Sequence, residues 1–238
     1  MIQTFPSSQL FGLMRVSAAV TLLITIVIVP LARAQNSQMQ EQIVKIDQSI
    51  AQNEQVLSKY NWQELDTVTA AGVLESQEAF RLQVGPYNRL QKKELSTLVQ
   101  SGSGYHYWNT EDYRDYDRQV AELAQVYLRF APGELSHLYE QGNLTVGPSN
   151  TAGEVPIFIQ SYLKQGDSVA LIYSTAQQVI LSVEISSYLS YINVPSTAVN
   201  ISARFAQLLD GPNHVFNVVV NGPDGLTVEI QNSNYAHI

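Results

Sequence analysis

The chain has 238 residues, no cysteine, and 21 acidic against 13 basic side chains, a formal net charge of −8. That balance repels phosphate backbones and anionic lipid, so nucleic-acid binding and electrostatic adhesion to membranes are excluded as leading functions. Without cysteine there is neither a disulfide framework nor a thiolate metal site, and stability must come from packing.

Met1 to Met14 carry no charge, and Arg15 follows. Val16–Val29 is apolar apart from Ser17, Thr21 and Thr25, Pro30 breaks the run, and Ala32-Arg33-Ala34 comes next. This order predicts a signal peptide over 1–34, cut before Gln35, because Ala32 and Ala34 are small enough for the peptidase pockets. The apolar run is short of the ~20 residues a spanning helix needs, so no stable membrane insertion is expected after cleavage. The working protein is then a single domain over 35–238, exported to the periplasm or the exterior. Arg15 and Arg33 leave with the leader, which makes the remainder more acidic still.

Ser37 to Tyr60 carries apolar residues at Met39, Ile43, Ile46, Ile50, Leu57 and Tyr60, a stripe that predicts an amphipathic helix. From Trp62 onward the pattern changes to strand, punctuated at Gly72. Val73–Val84 and Leu90–Val99 read as two further strands around the Gly85-Pro86-Tyr87-Asn88 turn. A second helix is predicted from a Thr110 cap, with Tyr113, Tyr116, Val120, Leu123, Tyr127 and Phe130 on its apolar side and Pro132-Gly133 as its stop. Leu135–Glu140 reads as a further helical turn. Gly147–Gly153 reads as a polar linker.

The last third reads as a meander of Val155–Leu163, Ser168–Ser174, Val179–Leu189, Val199–Leu208, Val215–Asn221 and Leu226–Asn232, divided by turn residues that include Asn193-Val194-Pro195. Val179, Leu181, Val183 and Ile185 are expected on one face. Leu226–Asn232 is expected at a sheet edge. The fold class that follows is α+β, a large curved antiparallel sheet, half-barrel-like, covered by two amphipathic helices.

Motifs for chemistry are sparse. His106, His137, His214 and His237 show no metal spacing and read as solvated or structural. Ser103 lacks the Gly-x-Ser-x-Gly context of a nucleophile elbow. Asp112, Asp115 and Asp117 lack the EF-hand pattern and suit a helix start. No phosphate loop occurs, and no cofactor or metal is expected. Trp108, Tyr113, Tyr116 and Tyr127 are weighed as helix packing against the lining of an apolar-ligand cavity, since tyrosine and tryptophan join apolar area to a polar tip.

Several segments resemble a family of uncharacterised exported bacterial proteins. They are the Tyr60-Asn61-Trp62-Gln63-Glu64 strand start, Val84-Gly85-Pro86, Tyr162 to Asp167, Phe205 to Gly211, and the ending Asn232-Ser233-Asn234-Tyr235. The chain departs from that family in lacking a cysteine and a basic hairpin near the early turn, and in having Leu209 where proline is usual. The resemblance implies no known activity. The order of helix, strands, helical insertion and strands is similar to the half-open β-barrels of periplasmic lipoprotein carriers. That likeness implies binding of lipid or another apolar ligand, or of a lipidated partner, without catalysis. The alternative is a structural or protein-interaction module with no small-molecule site, which pairs through a sheet edge. Either reading leaves the oligomeric state open.

Overall fold

Alternating side chains and turn residues set most of the strands in the computed structural model, which describes residues 37–85, 90–99, 110–191, 194–209 and 211–238. The predicted signal peptide lies outside these residues. By internal contacts the chain divides into two units, Met1–Ile43 and Val44–Ile238. In the first, 37–43 are helical. The second carries the rest of that helix, the strands and the site.

Residues 37–57 are helical (α1), and the unit boundary falls within this helix. The helix stops short of Tyr60 because its last turn tightens. Ser58 N–H still reaches Glu54 O at 3.0 Å, but Lys59 N–H bonds Val56 O at 3.1 Å, and Tyr60 then opens the first strand. Helix α2 is Thr110–Leu128 and α3 is Glu134–Glu140. Among the described residues no helix is long and apolar enough to cross a membrane.

The strands are β1 (Tyr60–Ala70), β2 (Val73–Val84), β3 (Leu90–Val99), β4 (Leu144–Val146), β5 (Glu154–Gln160), β6 (Ser168–Ser174), β7 (Val179–Tyr191), β8 (Val194–Gln207), β9 (Asn213–Asn221) and β10 (Leu226–His237). They form one open sheet in the order β3-β2-β1-β10-β9-β8-β7-β6-β5-β4. All its ladders are antiparallel. Each joins strands consecutive in the chain, except the one that pairs β1 with β10 from Tyr60↔His237 to Ala70↔Leu226. The β1–β2 hairpin turns on Ala71 and Gly72, both at positive φ (49° and 80°), as two-residue hairpin loops require.

Four expectations are corrected. Leu226–Asn232 is not an edge: β10 sits between β1 and β9, and the edges are β3 and the short β4. Val194 and Pro195 belong to β8, where proline is tolerated near the start of a strand. The Val179–Ile185 alternation breaks at a bulge. Tyr173 pairs Ile180 while Ile172 pairs Ser182, so Leu181 is the extra residue. Ile180 is buried in its place, together with Val183 and Ile185. Among the described residues the helical cover also has three pieces, since α3 is a helix of its own.

The core lies between one face of the sheet and the helices. Alternation on β1 buries Trp62, Glu64, Asp66, Val68 and Ala70. Val199, Ile201 and Ala203 of β8, Val218 and Val220 of β9, and Val228 and Ile230 of β10 continue the same buried layer. Helix α2 buries Tyr113, Tyr116, Asp117, Val120, Ala121, Ala124, Tyr127 and Leu128. Leu123, expected on that face, is only half-buried.

Candidate functional site: a two-part cavity beneath helix α2

Helix α2 is fastened near both ends by polar contacts, and the space beneath it depends on them. Near its start, Arg114 Nε donates to Glu78 Oε1 of β2 at 2.5 Å. Near its end, the Tyr127 hydroxyl meets Asp167 and lies 2.8 Å from Ser187 Oγ of β7. Asp167 in turn accepts backbone N–H groups from Tyr162 (2.6 Å), Leu163 (3.0 Å) and Lys164 (2.8 Å). A buried carboxylate with that many donors organises the loop between β5 and β6 and anchors the helix to it. Burial, with Asp167 adding to it, raises the Tyr127 phenol well above its ordinary range.

The C-terminal part of α1 is held just as specifically. Asn53 Nδ2 donates to Asn213 O at 2.8 Å, while Asn53 Oδ1 accepts from Asn213 N at 2.7 Å. Ser49 Oγ is 2.8 Å from the Tyr173 hydroxyl.

Between α1, α2 and strands β1, β2, β9 and β10 lies a pocket of about 100 Å³. Its apolar wall includes Leu57, Trp62, Leu82, Leu128, Val218 and Ile230. Ala121 and Ala124 face it from α2, and their small side chains leave the space open. His214, Asn232 and Tyr235 give it a polar end. The His214 ring packs 4.1 Å from that of Tyr235. Burial lowers the His214 pKa, against hydrogen bonds with the Pro212 and Ala206 backbone that raise it. Its Nδ1 and Asn232 Oδ1 are buried without hydrogen-bond partners among the described residues.

A second cavity of about 400 Å³ adjoins the first, sharing Leu90, Ala121 and Gln125 with it. Its walls are charged. Lys92 of β3 crosses the Phe80 ring, 3.7 Å from the centroid, to reach Glu64 at 2.8 Å and Asp66 at 2.7 Å. One ammonium thus serves two buried carboxylates. Burial pushes Asp66 up to about 8, and Glu64 beside it adds to this while Lys92 opposes it. Burial works against the Lys92 charge, but Glu64 and Asp66 outweigh it and hold the amine up at about 12. Asp117 of α2 is pushed up to about 7, by burial first and then by Glu78 and Glu64, against Lys92.

No family model matches the chain, and no curated protein matches it. Several solved structures are similar to it, three of which follow. One is a putative outer membrane lipoprotein-sorting protein domain from Vibrio parahaemolyticus, with TM-score 0.44, 9% identity, 83% of this chain covered and 93% of that chain. Another is a DUF1329 family protein from Desulfovibrio piger, with TM-score 0.42, 9% identity, and coverage of 81% and 91%. The third is a LolA superfamily protein from Nitrosomonas europaea, with TM-score 0.34, 11% identity, and coverage of 80% and 93%.

Of the residues weighed in sequence as an apolar lining, Trp108 lies outside the described residues, as do the cleavage positions Ala32, Ala34 and Gln35. Tyr113, Tyr116 and Tyr127 are buried on α2, but none is in the walls of the two cavities. The walls are instead built by residues not read as a lining in sequence, chiefly Trp62, Glu64, Ala121 and Ala124, together with Asp117, read as suiting a helix start, and His214, read as solvated or structural. The strand period carried part of this. The alternation through Trp62, Val68 and Ala70 puts Glu64 and Asp66 on the buried face. His137 is exposed and near Gln141, and His237 is exposed against the Tyr60 ring. His214 shares the smaller pocket with Glu54 and Glu64, but Glu54 is paired with Arg129 and Glu64 with Lys92. Among the described residues no group of three or more His, Cys, Asp or Glu side chains is placed to hold a metal ion.

Proposed function

We propose that this protein is a non-enzymatic binding protein. In this reading it acts after export, in the periplasm or outside the cell, and takes an apolar or amphiphilic ligand, or the lipidated part of a partner, beneath α2. The observation that carries this is the junction of an apolar pocket with a charged cavity. The two share wall residues, so one molecule can place a tail in the first and a head in the second. The apolar pocket is smaller than an engineered cavity of ~150 Å³ that accepts benzene. It therefore holds a short alkyl end or one branch, and a longer chain must run on into the larger cavity.

The test is displacement of an uncharged fluorescent alkyl probe from the purified protein, with native mass spectrometry of what co-purifies. Ala124→Leu would fill the apolar pocket. The expected result is probe binding by the wild type and a loss of at least about tenfold in the variant, on the order of 1.4 kcal/mol. Wild-type protein that takes neither probe nor native lipid would overturn the reading. So would a folded Ala124→Leu that binds as tightly as the wild type.

A second reading, a protein-interaction module, is favoured by the edge strand β3, on which Leu95 and Leu98 are 45% and 54% exposed. Lysine at both positions would abolish a dimer or a partner complex on that reading and leave probe binding intact on the first.

A further inference from the structure

The charged half of the cavity holds more acid than base. Each base on its walls has an acidic partner: Lys92 has Glu64 and Asp66, Arg114 has Glu78, and Arg118 has Asp115. Asp117 is different. It is 4% exposed, it lines the cavity, and its Oδ1 is buried with no hydrogen-bond partner among the described residues. Among the described residues no ion pair reaches it. A buried carboxylate in that state is costly, and it must take up either a proton or a cation.

We infer that the charged cavity is a site for a protonated amine held by Asp117, so that the ligand is an amphiphile with an ammonium head. This rests on the ligand-binding reading above and names the class of ligand. Three observations support it. The bases are already engaged, which leaves an anionic head without a free counter-charge. A metal ion would need several clustered ligands, and the described residues offer no such cluster. Finally, Asp117 lies one helical turn before Ala121, which belongs to both cavities, with Ala124 and Leu128 following on the same face of α2. A head at Asp117 therefore lays its tail along the helix toward the apolar pocket.

The groups facing Asp117 are Glu64 and Asp66 from β1, Glu78 from β2 and Lys92 from β3; burial pushes its pKa up to about 7, with Lys92 opposing and Glu78 and Glu64 adding to it. An amine that enters charged displaces the proton from Asp117 to solvent. Its affinity rises with pH through the neutral range until the amine itself deprotonates.

The experiment uses an alkylamine, an alkyl alcohol and an alkyl sulfate of one chain length, each below its micelle concentration. Titrations are followed by tryptophan fluorescence and by calorimetry. The amine is expected to bind at least about tenfold tighter than the alcohol, about 1.4 kcal/mol, with the sulfate weakest. Asp117→Asn is expected to bring the amine to the level of the alcohol. Calorimetry of the unaltered chain in two buffers of different ionisation heat is expected to show proton release near neutral pH with the amine and none with the alcohol. This measurement decides the matter if Asp117→Asn fails to fold. Binding of alcohol and amine with equal affinity, or amine binding without proton release, would overturn the inference and leave ligand binding standing. A preference for amine that survives Asp117→Asn would overturn it as well. Failure of all three compounds to bind would remove both readings together.

Discussion

Gly222, between β9 and β10, is fixed by a side chain from far upstream. Its φ of −97° is one that any residue adopts, so its backbone does not require glycine. A Cβ there would stand 2.1 Å from the Tyr116 hydroxyl oxygen and 3.2 Å from the adjoining ring carbon. Gly222→Ala must therefore displace a fully buried ring, and overpacking of that kind costs ~1–3 kcal/mol. Urea denaturation should show that loss in the wild-type background and most of it removed in a Tyr116→Phe background, because the two sites are in contact. An equal cost in both backgrounds would show that the contact is not the cause. Turn composition marks Gly222-Pro223-Asp224-Gly225 as a break, but it does not reveal that the first glycine makes room for α2. Glu64 and Asp66 are the opposite case. The Trp62 and Val68 phase places both inside, yet they read as solvent-facing when judged by residue type.

At the scale of elements, α3 depends on a carboxylate from α1. Its N-cap is Gly133, which supplies no side-chain cap. Asp47 takes that place, accepting Leu135 N–H at 3.2 Å and Ser136 N–H at 2.9 Å, and meeting the Ser136 hydroxyl as well. Two of the unpaired donors of a seven-residue helix are thus satisfied in trans, where the dipole also favours an acid. Asp47→Ala should cost ~1–2 kcal/mol, with Asp47→Asn milder. Hydrogen exchange should locate the loss in 134–140 before it reaches the sheet, and uniform loss across the strands would contradict a local cap. Strand segments with clean period-two patterning, such as Ser168–Ser174, are legible in sequence to the residue. The three-residue β4 is too short to carry a period, and the bulge at Leu181 interrupts one. Pairing partners are less legible still. Nothing local to Leu226–His237 states that β1 lies beside it, because a hydrophobic face specifies burial and not which strand shares the ladder.

For the whole molecule, the β1–β10 ladder joins the early hairpins to the late meander and brings the acidic face of β1 beneath α2. Glu64 and Asp66 then share the single ammonium of Lys92 while Asp117 stands nearby without an ion pair among the described residues, and this surplus of buried acid sets a pH dependence of stability. Unfolded, Asp66 and Asp117 titrate near 3.9. Folded, they are pushed up to about 8 and about 7. Between those limits the folded chain holds more protons than the unfolded one, so stability falls as pH rises. Their contribution is complete below ~4 and is lost as pH climbs through the folded values. Lys92, held at about 12, stays charged throughout and does not offset the trend. The free energy of unfolding should therefore decline from about pH 5 to about pH 8, with a slope approaching ~1.4 kcal/mol per pH unit for each group still protonated. Asp117→Asn removes one of the two protons and should flatten the decline, most clearly below about pH 7. Guanidinium denaturation across that range decides the matter. Stability that rises or stays level in the unaltered chain, with Asp117→Asn indistinguishable from it, would mean that the buried carboxylates are solvated well enough to ionise and that the acidic cavity stores no protons.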